Sequence, residues 1–210
     1  MAGCNHCVTS PTRDGRFRRV LWLALAVNAS MFLVELVASW LSGSMALQAD
    51  AMDFLGDSIN YALSLVVVGM SLHTRARAAL FKGATMGVFG VWVLGSTAHR
   101  VFSGTPPDAG LMGAMGLVAL CANLGVALAL YRYRGGDSNM RSIWLCSRND
   151  ALANVAVILA AAGVLATGSH WPDLVVAFTI ASLNLHSAIS VLRQAGFELR
   201  SENAPAPEPG

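Results

Sequence analysis

Long apolar stretches alternate with short polar segments along nearly the whole chain. Six of these stretches have about the 20-residue length that a helix needs to cross the hydrocarbon core of a bilayer. They cover residues 20–40, 45–72, 79–102, 109–131, 142–167 and 172–192. In the third stretch, Gly83, Gly87 and Gly90 have the spacing of small residues that lets membrane helices pack closely. The pattern predicts an all-α integral membrane protein with six transmembrane helices.

The composition supports this fold class. The chain has 210 residues, of which 55% are hydrophobic and only 12% are charged, whereas about 25% of the residues in a soluble domain are charged. We find no nucleophile paired with a base at a plausible spacing and no cofactor-binding motif. We therefore expect neither an enzyme nor a bound cofactor, and we expect contact with membrane lipid but not with nucleic acid.

The basic residues predict how the chain lies in the membrane. They concentrate in the N-terminal arm, in a loop at residues 73–77 with Lys82 just beyond it, in the loop after the fourth span and in the C-terminal tail. The alternate loops hold only Arg100. Because cytoplasmic loops are enriched in Lys and Arg, we expect both termini to be cytoplasmic, in a multi-pass protein of the inner (plasma) membrane.

This topology divides the chain into three segments. They are a cytoplasmic N-terminal arm at residues 1–19, a six-helix transmembrane domain at residues 20–195 and a disordered cytoplasmic tail at residues 196–210. The arm carries Cys4, His6 and Cys7, whose thiolates and imidazole are ligands that zinc prefers. Because no fourth ligand lies nearby, two interpretations stay open: metal capture by the arm, or a disordered arm without ligands.

The second span contains acidic residues that lipid does not tolerate. Asp50, Asp53, Asp57 and Asn60 are spaced by three, four and three residues, so a helix places them on one face. A charge near the bilayer centre costs at least about 2.5–3.5 kcal/mol, and such residues usually line an ion path or a binding site.

The fifth span carries a second polar stripe of Cys146, Asp150 and Asn154. The two spans run antiparallel, so the second starts at the outer face and the fifth at the inner face. At ~1.5 Å per residue, Asp57 lies ~18 Å from the outer face and Asp150 lies ~12 Å from the inner face. In a core ~30 Å thick these two depths are nearly the same level. Asp53 and Asp57 form one pair, and Cys146 and Asp150 form another. The two members of each pair are one helical turn apart, and two such pairs that face each other can surround a tetrahedral ion. The spacing thus predicts a metal site at the membrane midplane.

A simpler interpretation is that these carboxylates pair with Arg148 or form hydrogen bonds between helices. Arg148 is two residues from both Cys146 and Asp150, so it points to the opposite side of the helix. Three carboxylates this close cannot all stay ionised in a low dielectric without a cation or shared protons. A site of this kind would couple metal binding to protons.

Four further polar residues are candidates for accessory or proton-coupling roles. They are Glu35 in the first span, Asp50 and Asn60 in the second, and Asn154 in the fifth. Glu35 is ionisable and is either a proton carrier, an outer partner of the metal site or a polar link between helices.

The residues of the first two spans resemble a known family. The run from Asn28 through Phe32 to Glu35, followed by the run from Ser42 to Asp57 with its Ala-Asp-Ala sequence, is similar to the first two helices of cation diffusion facilitator transporters. Cys146 and Asp150 fall where that family has its second ligand pair, although the family more often has His at the position of Cys146. The resemblance extends over all six helices.

The resemblance implies an exporter of divalent metal such as Zn²⁺ or Cd²⁺ that exchanges metal for protons, works by alternating access and assembles as a homodimer. It assigns the ligand roles to Asp53, Asp57, Cys146 and Asp150. The chain ends soon after the sixth span, so we expect the cytoplasmic domain common in this family to be missing. An alternative function is a membrane-bound metal sensor or metal-binding partner protein that does not move the ion.

Overall fold

Six α-helices make up the part of the chain that the computed structural model describes, namely residues 15–66, 72–133 and 138–202. They are α1 (Gly15–Ser42), α2 (Met45–Val66), α3 (Leu72–Ser103), α4 (Ala109–Tyr131), α5 (Ser138–Thr167) and α6 (Trp171–Glu202). These described ranges contain no β-strand. The prediction of an all-α fold with six helices is confirmed.

Helix boundaries agree with the predicted spans at α4 and differ most at α3 and α6. The helix α3 begins at Leu72, so residues 73–77 belong to a helix, and their assignment to a loop was wrong. The sequence of this segment is rich in Arg and Ala, which favour helix. The helix α6 continues to Glu202, so residues 196–202, which we expected to be disordered, are helical.

The helix α2 lies at the centre of the bundle and contacts all five other helices. Every residue from Ser44 to Met52 is buried. Among the described residues, the other five helices are long and apolar enough to cross a membrane, and α2 does not meet that criterion. Because its neighbours separate α2 from lipid, this helix can carry an acidic face.

The most extensive contacts are those of α3 with α6, α4 with α5, and α1 with α2. The glycines of α3 make its contact with α6 close: a Cβ atom at Gly83 would lie 2.9 Å from Cγ of Leu192, and one at Gly90 would lie 3.5 Å from Cβ of Leu185. The spacing of small residues in the third span is therefore used for packing.

The first turn of α2 is anchored to the first turn of α6. Oδ1 of Asp173 accepts hydrogen bonds from the hydroxyl of Ser44 at 2.6 Å and from the backbone N–H of Ala46 at 3.0 Å, and Oδ2 accepts from the N–H of Met45 at 2.9 Å. Ser44 Oγ also accepts from the N–H of Leu47 at 3.1 Å, as a helix N-cap does. Asp173 is 1% exposed. This carboxylate fixes the start of the helix that carries the acidic face.

Two further helix ends meet the turn between α1 and α2. Gly43 has φ of 72°, in the left-handed region that favours glycine. Arg100, near the end of α3, donates to the carbonyl oxygen of Gly43 at 2.7 Å. The N–H of Asp108, which precedes α4, donates to the carbonyl oxygen of Ser42 at 2.8 Å. This end of the bundle is therefore tied together by polar contacts.

Candidate metal-transport site

Three aspartates meet between α2 and α5. The carboxyl group of Asp150 lies close enough to those of Asp53 and Asp57 to interact with both of them. Asp53 and Asp57 are one helical turn apart on α2, so both can face α5. We call Asp53, Asp57 and Asp150 the carboxyl cluster. The structure thus brings together the three carboxylates that the sequence predicts as ligands.

Neighbouring hydroxyl groups orient one member of the cluster. The hydroxyl of Tyr61 donates to Oδ2 of Asp57 at 3.3 Å, and it shares a 2.9 Å hydrogen bond with Oγ of Ser147 on α5. Both hydroxyl-bearing residues are buried. Tyr61 therefore links α2 to α5 beside the cluster, a role that sequence reasoning missed.

A buried lysine supplies positive charge to the cluster. The ammonium group of Lys82 on α3 donates to Oδ1 of Asn60 and acts electrostatically on Asp53 and Asp57. Lys82 is only 5% exposed. Lys82 shares one helical face with the buried residues Val93 and Thr97. Its place next to a basic run made it look like part of an exposed segment.

Arg148 does not neutralise the cluster. Its side chain is exposed, donates to Oδ1 of Asn149 at 3.2 Å and lies over the ring of Trp144, with 5.4 Å between the guanidinium carbon and the ring centroid. The guanidinium group therefore points away from α2, as the sequence spacing predicts, and Lys82 rather than Arg148 provides the counter-charge.

Two other acidic candidates, Glu35 and Asp50, form a separate group toward the N-terminal end of α2. Asn154 of α5 donates to Oδ2 of Asp50 at 2.5 Å, and Asn123 of α4 donates to Oδ1 of Asn154 at 2.9 Å. The carboxyl group of Glu35 on α1 lies beside that of Asp50. We call Glu35 and Asp50 the carboxyl pair. Three of the predicted accessory residues therefore meet here, and Asn60 lies instead with Lys82.

The fourth predicted ligand has a different environment. Cys146 is buried on α5, and its sulfur is disulfide-bonded. A metal ligand must be a thiolate, so the predicted role of Cys146 applies to the reduced protein. The predicted capture site of Cys4, His6 and Cys7 also lies outside the described residues and stays a prediction.

The contacts within the cluster do not by themselves make a closed metal site. Within the described ranges, no set of three or more His, Cys, Asp or Glu side chains is placed so that it could hold a metal ion. The pairwise contacts bring the carboxyl groups together without giving them a ligating geometry. The ligand roles of Asp53, Asp57, Cys146 and Asp150 therefore stay a prediction.

Comparison with known proteins identifies the family. Residues 21–200, most of the chain, match the family described as the cation efflux transmembrane domain. The chain belongs to the cation efflux family. The resemblance found in the first two spans is thereby confirmed, and the protein is a multi-pass membrane transporter rather than an enzyme.

Curated relatives within the family are metal transporters. The zinc transporter ZitB of Escherichia coli is 29% identical over 96% of this chain and 68% of its own length. A Bacillus subtilis protein named cadmium, cobalt and zinc/H(+)-K(+) antiporter is 26% identical over 87% of this chain and 63% of its own length. The metal cation efflux system protein CzcD of Cupriavidus metallidurans is 24% identical over 85% of this chain and 59% of its own length. This chain therefore spans about two thirds of the length of these relatives.

Proposed function

We propose that this protein exports a divalent metal ion, Zn²⁺ or Cd²⁺, in exchange for protons at a site between α2 and α5. The observation that carries the proposal is the contact of Asp150 on one helix with Asp53 and Asp57 on another. Carboxylates from two helices inside a bundle are a suitable environment for a divalent cation and for protons, because both compensate the same negative charge.

The exchange follows from this shared charge. A metal ion that enters from the cytoplasm displaces protons from the carboxyl cluster and from the reduced Cys146 thiol, because the ligands must be deprotonated to bind metal. A change to the outward-open form then exposes the site, and protons from outside release the metal. A thiolate favours Zn²⁺ and Cd²⁺ over the harder Mn²⁺, in agreement with the metals in the names of the relatives.

Metal-stimulated proton movement in proteoliposomes tests this function. We expect the reduced wild-type protein to move protons when Zn²⁺ or Cd²⁺ is added, and Asp150→Asn to abolish that movement. The matched control is Asp108→Asn, which removes an exposed carboxylate but keeps an N-cap side chain for α4. Proton movement that persists in Asp150→Asn would contradict the proposal.

The same vesicles separate transport from binding. A transporter preloaded with metal shows counterflow of labelled metal, whereas a sensor or partner protein takes up only the amount that its sites hold. Stoichiometric uptake without counterflow would favour the sensor.

We further propose that both termini face the cytoplasm of the inner membrane, on the basis of the Lys and Arg distribution. The test replaces the native cysteines and introduces one new cysteine at an exposed position, either Thr105→Cys between α3 and α4 or Thr74→Cys at the start of α3. We expect a membrane-impermeant maleimide to label Thr105→Cys in intact cells and Thr74→Cys only after permeabilisation. The reverse pattern would invert the orientation.

Assembly into a homodimer is proposed from the resemblance to the family. Light scattering of the purified protein in detergent, corrected for bound detergent, measures the number of chains directly. A mass of one chain at the concentrations used for transport would overturn this part of the proposal.

A further inference from the structure

The carboxyl pair is buried inside the bundle and is distinct from the carboxyl cluster. Glu35 on α1 is 0% exposed and Asp50 on α2 is 1% exposed. Within the described part of the chain, neither carboxyl oxygen of Glu35 has a hydrogen-bond partner, and the same is true of Oδ1 of Asp50. A buried acceptor without a donor is costly. The described surroundings therefore provide no hydrogen-bond donor to these three oxygen atoms.

The hydrogen bonds around Asp50 leave one of its oxygens available to Glu35. Oδ2 of Asp50 accepts the bond from Asn154, and Asn123 holds Asn154 in turn through the 2.9 Å bond to its Oδ1. This chain of amides crosses from α4 through α5 to α2. Because Asn154 donates to Oδ2 and is itself held by Asn123, the orientation of the Asp50 carboxyl group is set, and Oδ1 is the atom left without a donor.

The charged groups that face the pair do not neutralise it. Glu35 and Asp50 face each other, and Asp53, one turn further along α2, is also acidic. The contributions from α4 and α5 are the neutral amides of Asn123 and Asn154. Two carboxylates side by side in a low dielectric repel each other strongly, whereas one proton between them converts the repulsion into a hydrogen bond.

We propose that Glu35 and Asp50 share one proton and thereby form a proton-binding site separate from the carboxyl cluster. The proton supplies a donor between a carboxyl oxygen of Glu35 and Oδ1 of Asp50, and it joins α1 to α2. Asp50 lies only about 4.5 Å along the helix axis from Asp53. A divalent charge that arrives at the cluster therefore favours loss of this proton.

The second step, in which the shared proton is one of those exchanged for metal, rests on the proposed function. In that case the metal site and one exchanged proton occupy different residues. Removing the proton site then changes the number of protons moved per metal ion rather than the ability to bind metal.

Infrared spectroscopy tests the proton site without any transport. We expect purified metal-free wild-type protein to show the C=O stretch of buried protonated carboxyl groups, shifted in D₂O. The carboxyl cluster also contributes to this band when it carries protons, so the quantity measured is the part of the band that Glu35→Gln removes. Asp50→Asn is a second variant on the other helix, and it should remove the same part. Asp108→Asn, which changes an exposed carboxylate, is the control and should leave the whole band unchanged. A band that neither Glu35→Gln nor Asp50→Asn reduces would overturn the site.

Proteoliposomes then test the use of the proton. We expect Glu35→Gln to move fewer protons per metal ion than the wild type, and an unchanged ratio would overturn the exchange role. If the wild-type protein moves no metal at all, the proposed function fails, while the infrared result still decides whether the proton site exists.

Discussion

Two groups of carboxylates lie on the same helix, and they differ in what surrounds them. The carboxyl cluster receives a hydrogen bond from Tyr61 and positive charge from Lys82. The carboxyl pair receives one amide hydrogen bond at Asp50, and the charged groups that act on it from the described part of the chain are acidic. The cluster already lies beside the ammonium group of Lys82, so it is suited to exchange one cation for another. The pair has no such neighbour among the described residues, so it is suited to hold a proton.

The largest effect should come from the cluster itself. We expect Asp57→Asn to weaken Zn²⁺ binding by more than about 100-fold, since even the loss of an outer partner of a metal site commonly costs about 10–100-fold. Isothermal titration calorimetry on purified protein measures this change. Glu35→Gln is the comparison variant, and an equally large loss there would erase the distinction between cluster and pair.

Replacement of the predicted fourth ligand should have the next largest effect. We expect Cys146→Ser to weaken Cd²⁺ binding by about 10–100-fold, the range that single changes around metal sites commonly give, and to affect Mn²⁺ less because Mn²⁺ prefers oxygen ligands. Competition titrations under reducing conditions measure both affinities. An unchanged ratio of Cd²⁺ to Mn²⁺ affinity would remove Cys146 from the site.

The ammonium group of Lys82 should oppose metal binding. Lys82→Met removes a positive charge near Asp53 and Asp57, so we expect Zn²⁺ to bind about tenfold more tightly, with the infrared band of the carboxyl pair unchanged. Lys82→Arg keeps the charge and is the matched control. Weaker binding in Lys82→Met would show that the lysine supports the site instead of competing with the metal.

The smallest effect concerns the hydroxyl that orients the cluster. Tyr61→Phe removes the donor to Asp57 but keeps the ring, so we expect Zn²⁺ affinity to fall about fivefold, close to the net free energy of one hydrogen bond. The same titration measures it, with Tyr131→Phe at an exposed position of α4 as the control. A loss as large as that of Asp57→Asn would mean that Tyr61 has a more direct role.

The sequence predicts the fold and the meeting of the three aspartates because both depend on local periodicity. Hydrophobic length locates the spans, and the four-residue spacing of Asp53 and Asp57 fixes the face that they share. Antiparallel topology then brings Asp150 to the same level.

The residues that the sequence did not reveal depend on contacts between distant segments. Lys82 on α3 donates to Asn60 on α2. The role of Asn123 can be recognised only when its contact with Asn154 is known. Asp173 bonds with the start of α2 from more than a hundred residues away. No local pattern encodes these pairings.

The hydrogen bonds of Asp173 also limit how the bundle can move. Separating the first turn of α6 from the first turn of α2 would leave a buried carboxylate without its three donors, a change that is strongly unfavourable. A conformational change that opens the bundle would therefore carry these two helix ends together as one rigid unit. In such a motion, the displacement of α2 relative to α6 would be smallest at this end and larger at the opposite end of α2.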